Sequence, residues 1–91
     1  MASAAADLAS IRDYTEREWG GDQAVRYLTK LQQSTHRLLD APYLGSPYGG
    51  RRVSLRSLKS SRHRLIYDVS DEAIILVRVL HVRMDLHRHL P

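Results

Sequence analysis

The sequence contains no cysteine, which excludes disulfides, thiolate nucleophiles and cysteine-based metal sites. It has no apolar run near the roughly 20 residues needed to cross a bilayer. The opening residues, Met1-Ala2-Ser3-Ala4-Ala5-Ala6-Asp7, carry neither a basic leader nor a long apolar block. A soluble, cytoplasmic protein is therefore expected. Repeats and low-complexity tracts are missing too, beyond the short alanine cluster. Glycine and proline are scarce and, Pro91 aside, gather at Gly20-Gly21 and between Ala41 and Arg52. What remains is one small domain spanning residues 1–91. A chain of this size buries somewhat over ~60% of its unfolded surface, enough for a modest core.

The formal net charge is +4, unevenly spread. Residues 1–50 carry five basic and six acidic side chains, whereas residues 51–91 carry nine basic against Asp68, Asp71, Glu72 and Asp85. Four of the five histidines also lie in the second half. Positive charge gathered in one half suits an acidic partner, either nucleic acid or an acidic protein segment. It equally suits a solvated arginine-rich surface, and arginine supplies every basic side chain except Lys30 and Lys59.

A first helix is expected from about Ala4 to Trp19, capped by Ser3, with Leu8, Ile11 and Thr15 on its inner face and Gly20-Gly21 as the stop. Arg12 with Glu16 and Asp13 with Arg17 are i,i+4 pairs for its wet side. A second helix begins at an Asp22 cap, and Ala24, Leu28, Leu31, Thr35 and Leu38 form a continuous stripe. It fades near Asp40, because Pro42 disfavours helical geometry in the residue before it. So short a link makes the two helices an antiparallel hairpin. Residues 41–52 read as an ordered loop. Three strands follow: Val53–Leu58, whose change of parity suggests a bulge; His63–Val69, which alternates well; and Ala73–Leu80 after a Ser70-Asp71-Glu72 turn. The last is apolar at nearly every position, as a central strand covered on both faces would be. The fold class is α+β, a helical hairpin packed on a small antiparallel sheet.

The most informative stretch is Val77-Arg78-Val79-Leu80-His81-Val82-Arg83-Met84-Asp85. An apolar strand runs straight into Arg, His and Asp, where turn chemistry is usual. If the strand stays regular, Arg78 shares a face with Ile74, Leu76 and Leu80, while His81 and Arg83 project from the other. Only a break or sharp twist would bring Arg78 and His81 to one site. Arg78 within an apolar strand needs a carboxylate partner, with Asp68 and Asp85 as candidates. His81, His63, Arg56, Arg78, Arg83 and Lys59 are residue types suited to RNA cleavage, though residue type is not geometry. His81, His87 and His89 do not make a convincing metal site, since structural zinc takes four placed ligands and commonly cysteine. No catalytic residue, metal or cofactor is assigned. Tyr43 and Tyr48 in the loop suit partner contact, tyrosine being enriched at interfaces.

Taken with Ala6-Asp7-Leu8, Ile11, Tyr14, Trp19-Gly20, Ala24, Tyr27-Leu28, Leu31, Pro42, Leu44-Gly45, Arg56, His63 and Ile66-Tyr67, this terminal run resembles the ParE branch of the RelE/ParE toxin superfamily. The resemblance implies the toxin of a type II toxin–antitoxin module, neutralised by a ParD-type antitoxin of the ribbon-helix-helix kind and inhibiting DNA gyrase by binding. It places target contact at Arg78, His81, Arg83, Met84 and Asp85. For antitoxin contact the candidates are Leu28, Leu31, Tyr43, Tyr48, Arg56 and Tyr67, engaged by an amphipathic helix across the hairpin and a strand added to the sheet edge. Alternatives are a ribosome-dependent mRNA endonuclease of the RelE type, whose usual terminal tyrosine is missing here, and a non-toxic antitoxin-binding relative. A homodimer, or a toxin–antitoxin heterotetramer or larger assembly, is also open. Relatives of this kind generally begin with a strand ahead of the first helix. Either the true start lies upstream or that strand is lacking, which would leave a sheet edge that invites pairing by another chain.

Overall fold

The computed structural model describes residues 3–48 and 54–83. Helix α1 spans Ala4–Trp19 and helix α2 Gly21–Asp40; strands β1 (Ser46–Pro47), β2 (Leu55–Ser60), β3 (His63–Val69) and β4 (Ile74–His81) follow. The strands form one antiparallel sheet in the order β1-β2-β3-β4, and the helical hairpin packs on it.

Ser3 caps α1 as its sequence suggests, its hydroxyl accepting the Ala6 N–H at 3.1 Å. The helix turns inward on Ala4, Leu8, Ile11 and Thr15. Its end is set by Gly20 at φ 90°, a backbone state that L side chains rarely adopt. That same glycine is the N-cap of α2, without any side-chain cap bond. Asp22 lies in the first helical turn instead, where its charge still favours the helix dipole. On the wet side of α1, Arg12 turns to its neighbour Asp13 at 3.2 Å, not to Glu16; an exposed pair of this sort contributes little. The stripe on α2 is as expected: Ala24, Leu31 and Leu38 are buried, with Leu28 and Thr35 half-buried between them.

Two sheet expectations need correction. Ala73–Leu80 reads as a central strand, yet β4 is a terminal strand of the sheet among the described residues, and β3 lies inside. Its unbroken apolar run has another cause. Leu76 and Val79 pack with Leu31 and Leu65 under the helices, while Val77 and Leu80 pack with Tyr48, Leu55 and Ile66 in a second cluster. Within each of those pairs the spacing is three residues, which strict alternation forbids. The register resolves it: Tyr67 faces Leu76 but Ile66 faces Arg78, so Val77 is an extra residue, a bulge. The bulge therefore sits in β4 and not in the Val53–Leu58 stretch, for β2 runs from Leu55↔Asp68 to Ser60↔His63 without a shift. Val53, the expected start of that strand, lies outside the described residues.

Strand β1 has no periodic signal and owes its position to two clamps from the sheet. The Tyr67 hydroxyl donates to the Pro42 carbonyl at 2.9 Å and accepts from the Gly45 N–H at 3.0 Å. The Arg56 guanidinium bonds the carbonyls of Tyr43 and Gly45 and lies 5.0 Å from the Tyr43 ring centre. A Cβ at Gly45 would sit 2.6 Å from the Ser57 carbonyl oxygen and 2.8 Å from the Tyr67 hydroxyl. Backbone cannot yield there, so Gly45→Ala should cost about 2 kcal/mol of overpacking, read as a lower denaturation midpoint with an unchanged denaturant slope.

Candidate functional site

Arg78 is where the resemblance places target contact, and its surroundings are specific. Its Nε donates to one oxygen of Asp7 at 2.7 Å and its Nη2 to the other at 3.0 Å, a two-pronged carboxylate–guanidinium pair. Asp7 also accepts the Val79 N–H at 2.9 Å. The two side chains retain only 13% and 14% of their exposure. A carboxylate from the first turn of α1 thus holds both the side chain of one β4 residue and the backbone of the next. The hydrogen bond that Arg78 donates to Asp7 is the main reason the Arg78 pKa is raised. Asp7 is a partner the linear reading did not name. A signal for it existed: Asp7 follows Ala4 by three positions and precedes Ile11 by four, an acid within an apolar helical stripe.

A second group lies where the hairpin meets the turn between β2 and β3. The hydroxyl of Tyr27, from α2, sits 2.6 Å from His63 Nδ1. It also accepts the Arg62 backbone N–H at 3.1 Å. The assignment that satisfies every group has Tyr27 donating its proton to His63, which leaves the other imidazole proton on Nε2. His63 and His81 are cross-strand partners with ring centres 5.3 Å apart, edge to face. Nδ1 of His81 accepts the Arg83 N–H at 3.1 Å, so its proton too belongs on Nε2. Burial lowers the His63 pKa to about 4, with His81 pushing the same way and Asp7 partly opposing. Burial also raises the Tyr27 pKa, so the hydroxyl keeps its proton.

Between Arg78 and His81 the register with β3 runs without a shift, so no break brings the two side chains to one site. Arg78 reaches Asp7, and Asp7 acts electrostatically on His63, but Arg78 is held by the carboxylate and does not join the two histidines. His81 is half-buried and Arg83 exposed; Met84 and Asp85 lie outside the described residues.

Of the residues put forward for antitoxin contact, Tyr43 is exposed, while Leu28 and Arg56 are half-buried, the latter engaged with the loop. Tyr67 is corrected outright: it has no accessible surface, and its hydroxyl serves the loop clamp. Tyr48 is likewise buried, in the cluster with Leu55, Ile66 and Leu80. Leu31 is buried as well, but as the floor of an open groove. That groove, about 460 Å³, is lined by Leu8, Leu28, Leu38, Leu39, Ile74 and Leu76 around Leu31. Leu39 on its rim is 64% exposed. Among the described residues no group of histidine and carboxylate side chains could hold a metal ion.

Residues 1–86 match the family described as the ParE toxin of the type II toxin–antitoxin system parDE. Toxin ParE1 of Mycobacterium tuberculosis is 42% identical over 89 residues, covering 97% of this chain and 91% of that protein. Toxin ParE1 of Caulobacter vibrioides is 34% identical over 87 residues, covering 96% and 90%. A chain from the chromosomal ParDE toxin–antitoxin system of P. aeruginosa superposes with a TM-score of 0.77 at 20% identity, covering 91% of each chain, a likeness of fold.

Two measurements check this geometry. Replacing Asp7 by Ala takes its carboxylate away from a mostly buried guanidinium and from the Val79 N–H, so stability should fall by about 3 kcal/mol, with a smaller loss for Asp7→Asn. His63 has a folded pKa of about 4 against an unfolded 6.5. Its contribution is therefore complete above pH 6.5 and lost as pH falls towards 4. The folded protein should lose stability across that window, less steeply in His63→Gln, and the His63 ring protons should titrate near pH 4 by NMR.

Proposed function

This chain belongs to the ParE toxin family of type II toxin–antitoxin systems, and from that premise we propose that it acts by binding DNA gyrase. It performs no covalent chemistry of its own and is neutralised by a ParD-type, ribbon-helix-helix antitoxin. Both partners place it in the cytoplasm. The observation that carries the antitoxin half is the leucine groove between the hairpin and β4. An amphipathic antitoxin helix presents apolar residues at i, i+3, i+4 and i+7, and seated there it covers Leu28 and Leu39 over the Leu31 floor. Ile74 and Leu76 bring the groove to the outer edge of β4, where a following extended antitoxin segment can pair. Acidic side chains on that segment meet the positive second half of the chain.

Target contact is assigned to His81, Arg83, Met84 and Asp85. Arg78 serves it at one remove, by fixing through Asp7 the strand that leads there.

One observation favours the endonuclease reading: His63 is kept neutral, the form a general base requires. Against it, Arg78 is tied to Asp7 and so is not available to stabilise a charged phosphorane.

The purified protein should block gyrase supercoiling and trap cleaved DNA while leaving ribosome-bound mRNA intact. Joint replacement of His81, Arg83, Met84 and Asp85 by Ala should abolish gyrase inhibition in a soluble, folded product that still binds antitoxin. Cleaved mRNA with gyrase unaffected would establish the endonuclease instead, and no effect on either would leave a non-toxic antitoxin-binding relative.

A further inference from the structure

Away from the leucine groove, a second cleft of about 710 Å³ opens where the helical hairpin meets the turn between β2 and β3. Its walls include Tyr14 and Trp19 from α1, Lys30 from α2, Arg62 from the turn between β2 and β3, and His63 and His81 from the sheet. Three features of this wall belong together.

The first is exposed aromatic surface. Tyr14 and Trp19 keep 57% and 65% of their exposure, and Trp19 is the single tryptophan of the chain. A tryptophan serving the core would be covered; this one leaves a wide flat face in water. The second is charge of one sign. Lys30 and Arg62 are exposed and make no ion pair among the described residues, and none of the described residues lining the cleft is acidic. The third is oriented donors. Nδ1 of both histidines is already engaged, by Tyr27 and by the Arg83 N–H, so each ring offers an Nε2–H and no further acceptor.

Flat aromatic faces beside cations and N–H donors, without carboxylates, match a planar base carrying a phosphate. The volume falls in the range of sites that enclose a small ligand. An acidic peptide would satisfy the cations but leave both aromatic faces without a planar partner.

We propose that this cleft binds a nucleotide, its base stacked on Trp19 and Tyr14 and its phosphate held by Lys30 and Arg62. The same chemistry is offered by a free nucleoside monophosphate and by an unpaired position of a single strand. The assignment goes beyond the protein partners above and stands whether or not gyrase is the target.

Because Trp19 is the sole tryptophan, its fluorescence reports the site directly. The full chain is titrated with AMP and with a short oligoadenylate, with inorganic phosphate and a glutamate-rich peptide as competitors. AMP should quench Trp19 saturably, and phosphate should displace it without quenching. The double variant Lys30→Glu/Arg62→Glu, both positions exposed, should keep the wild-type thermal midpoint. It should weaken binding at least about tenfold and flatten the salt dependence by about two units of slope. Amide shifts by NMR should centre on Ser61, Arg62 and His63. Tighter binding of the oligoadenylate by about tenfold or more assigns the strand; equal affinity assigns the free nucleotide. Three results overturn the proposal: no saturable quenching by either ligand at millimolar concentration, quenching unchanged in the double variant, or displacement by the glutamate-rich peptide as effective as by phosphate.

Discussion

The fold depends on one carboxylate. Asp7 joins the first turn of α1 to β4, two segments about as far apart in the chain as any the structure describes, and does so through three hydrogen bonds. The Val79 N–H belongs to the terminal strand of the sheet, and a donor there must find water, another strand or a side chain. Asp7 supplies the side chain, so part of that edge is closed by a helix. The same contact supplies Arg78 with its counter-charge. An arginine in an apolar strand needs a partner of this kind, since removing one member of a buried ion pair costs several kcal/mol.

The bulge at Val77 and the clamp serve one arrangement. By inserting one residue, β4 sends Leu76 and Val79 under the helices and Val77 and Leu80 into the opposite cluster. A strand with two apolar faces and a fixed outer edge results. On the far side of the sheet, Tyr67 and Arg56 do comparable work for the loop: Arg56 bonds two backbone carbonyls, Tyr67 bonds one carbonyl and one N–H, and Gly45 leaves room for the chain to lie against Ser57. Residues with the look of interface chemistry are thus spent on internal architecture.

Much of this was legible. The boundaries of α1, the stripe on α2 and the extent of β3 follow from spacing and from Ser3, Gly20 and Pro42, because local periodicity and capping decide them. The terminal run of β4 pointed to the family that the comparisons show. What stayed hidden depends on contacts between distant residues. No window of sequence reports that Asp7 meets Arg78, that Tyr67 holds Pro42 and Gly45, or that Tyr27 meets His63. The order of the sheet was misjudged for a related reason: an apolar run records covered faces, not paired edges. A bulge was suggested for β2 and lies in β4 instead, since parity changes in both strands and only the β3–β4 register shows which one absorbs it.

The reach of the Asp7 clamp also governs when this protein can exist as a folded object during its own synthesis. The ribosome delivers Asp7 early and Arg78 and Val79 late, so a nascent chain carries its hairpin for most of elongation with no sheet to lie on. Non-local closure of this kind is slow relative to helix formation, and neither helix has a buried seat until β3 and β4 arrive. The folded domain therefore comes into being after translation has passed residue 79, as a whole and not by halves.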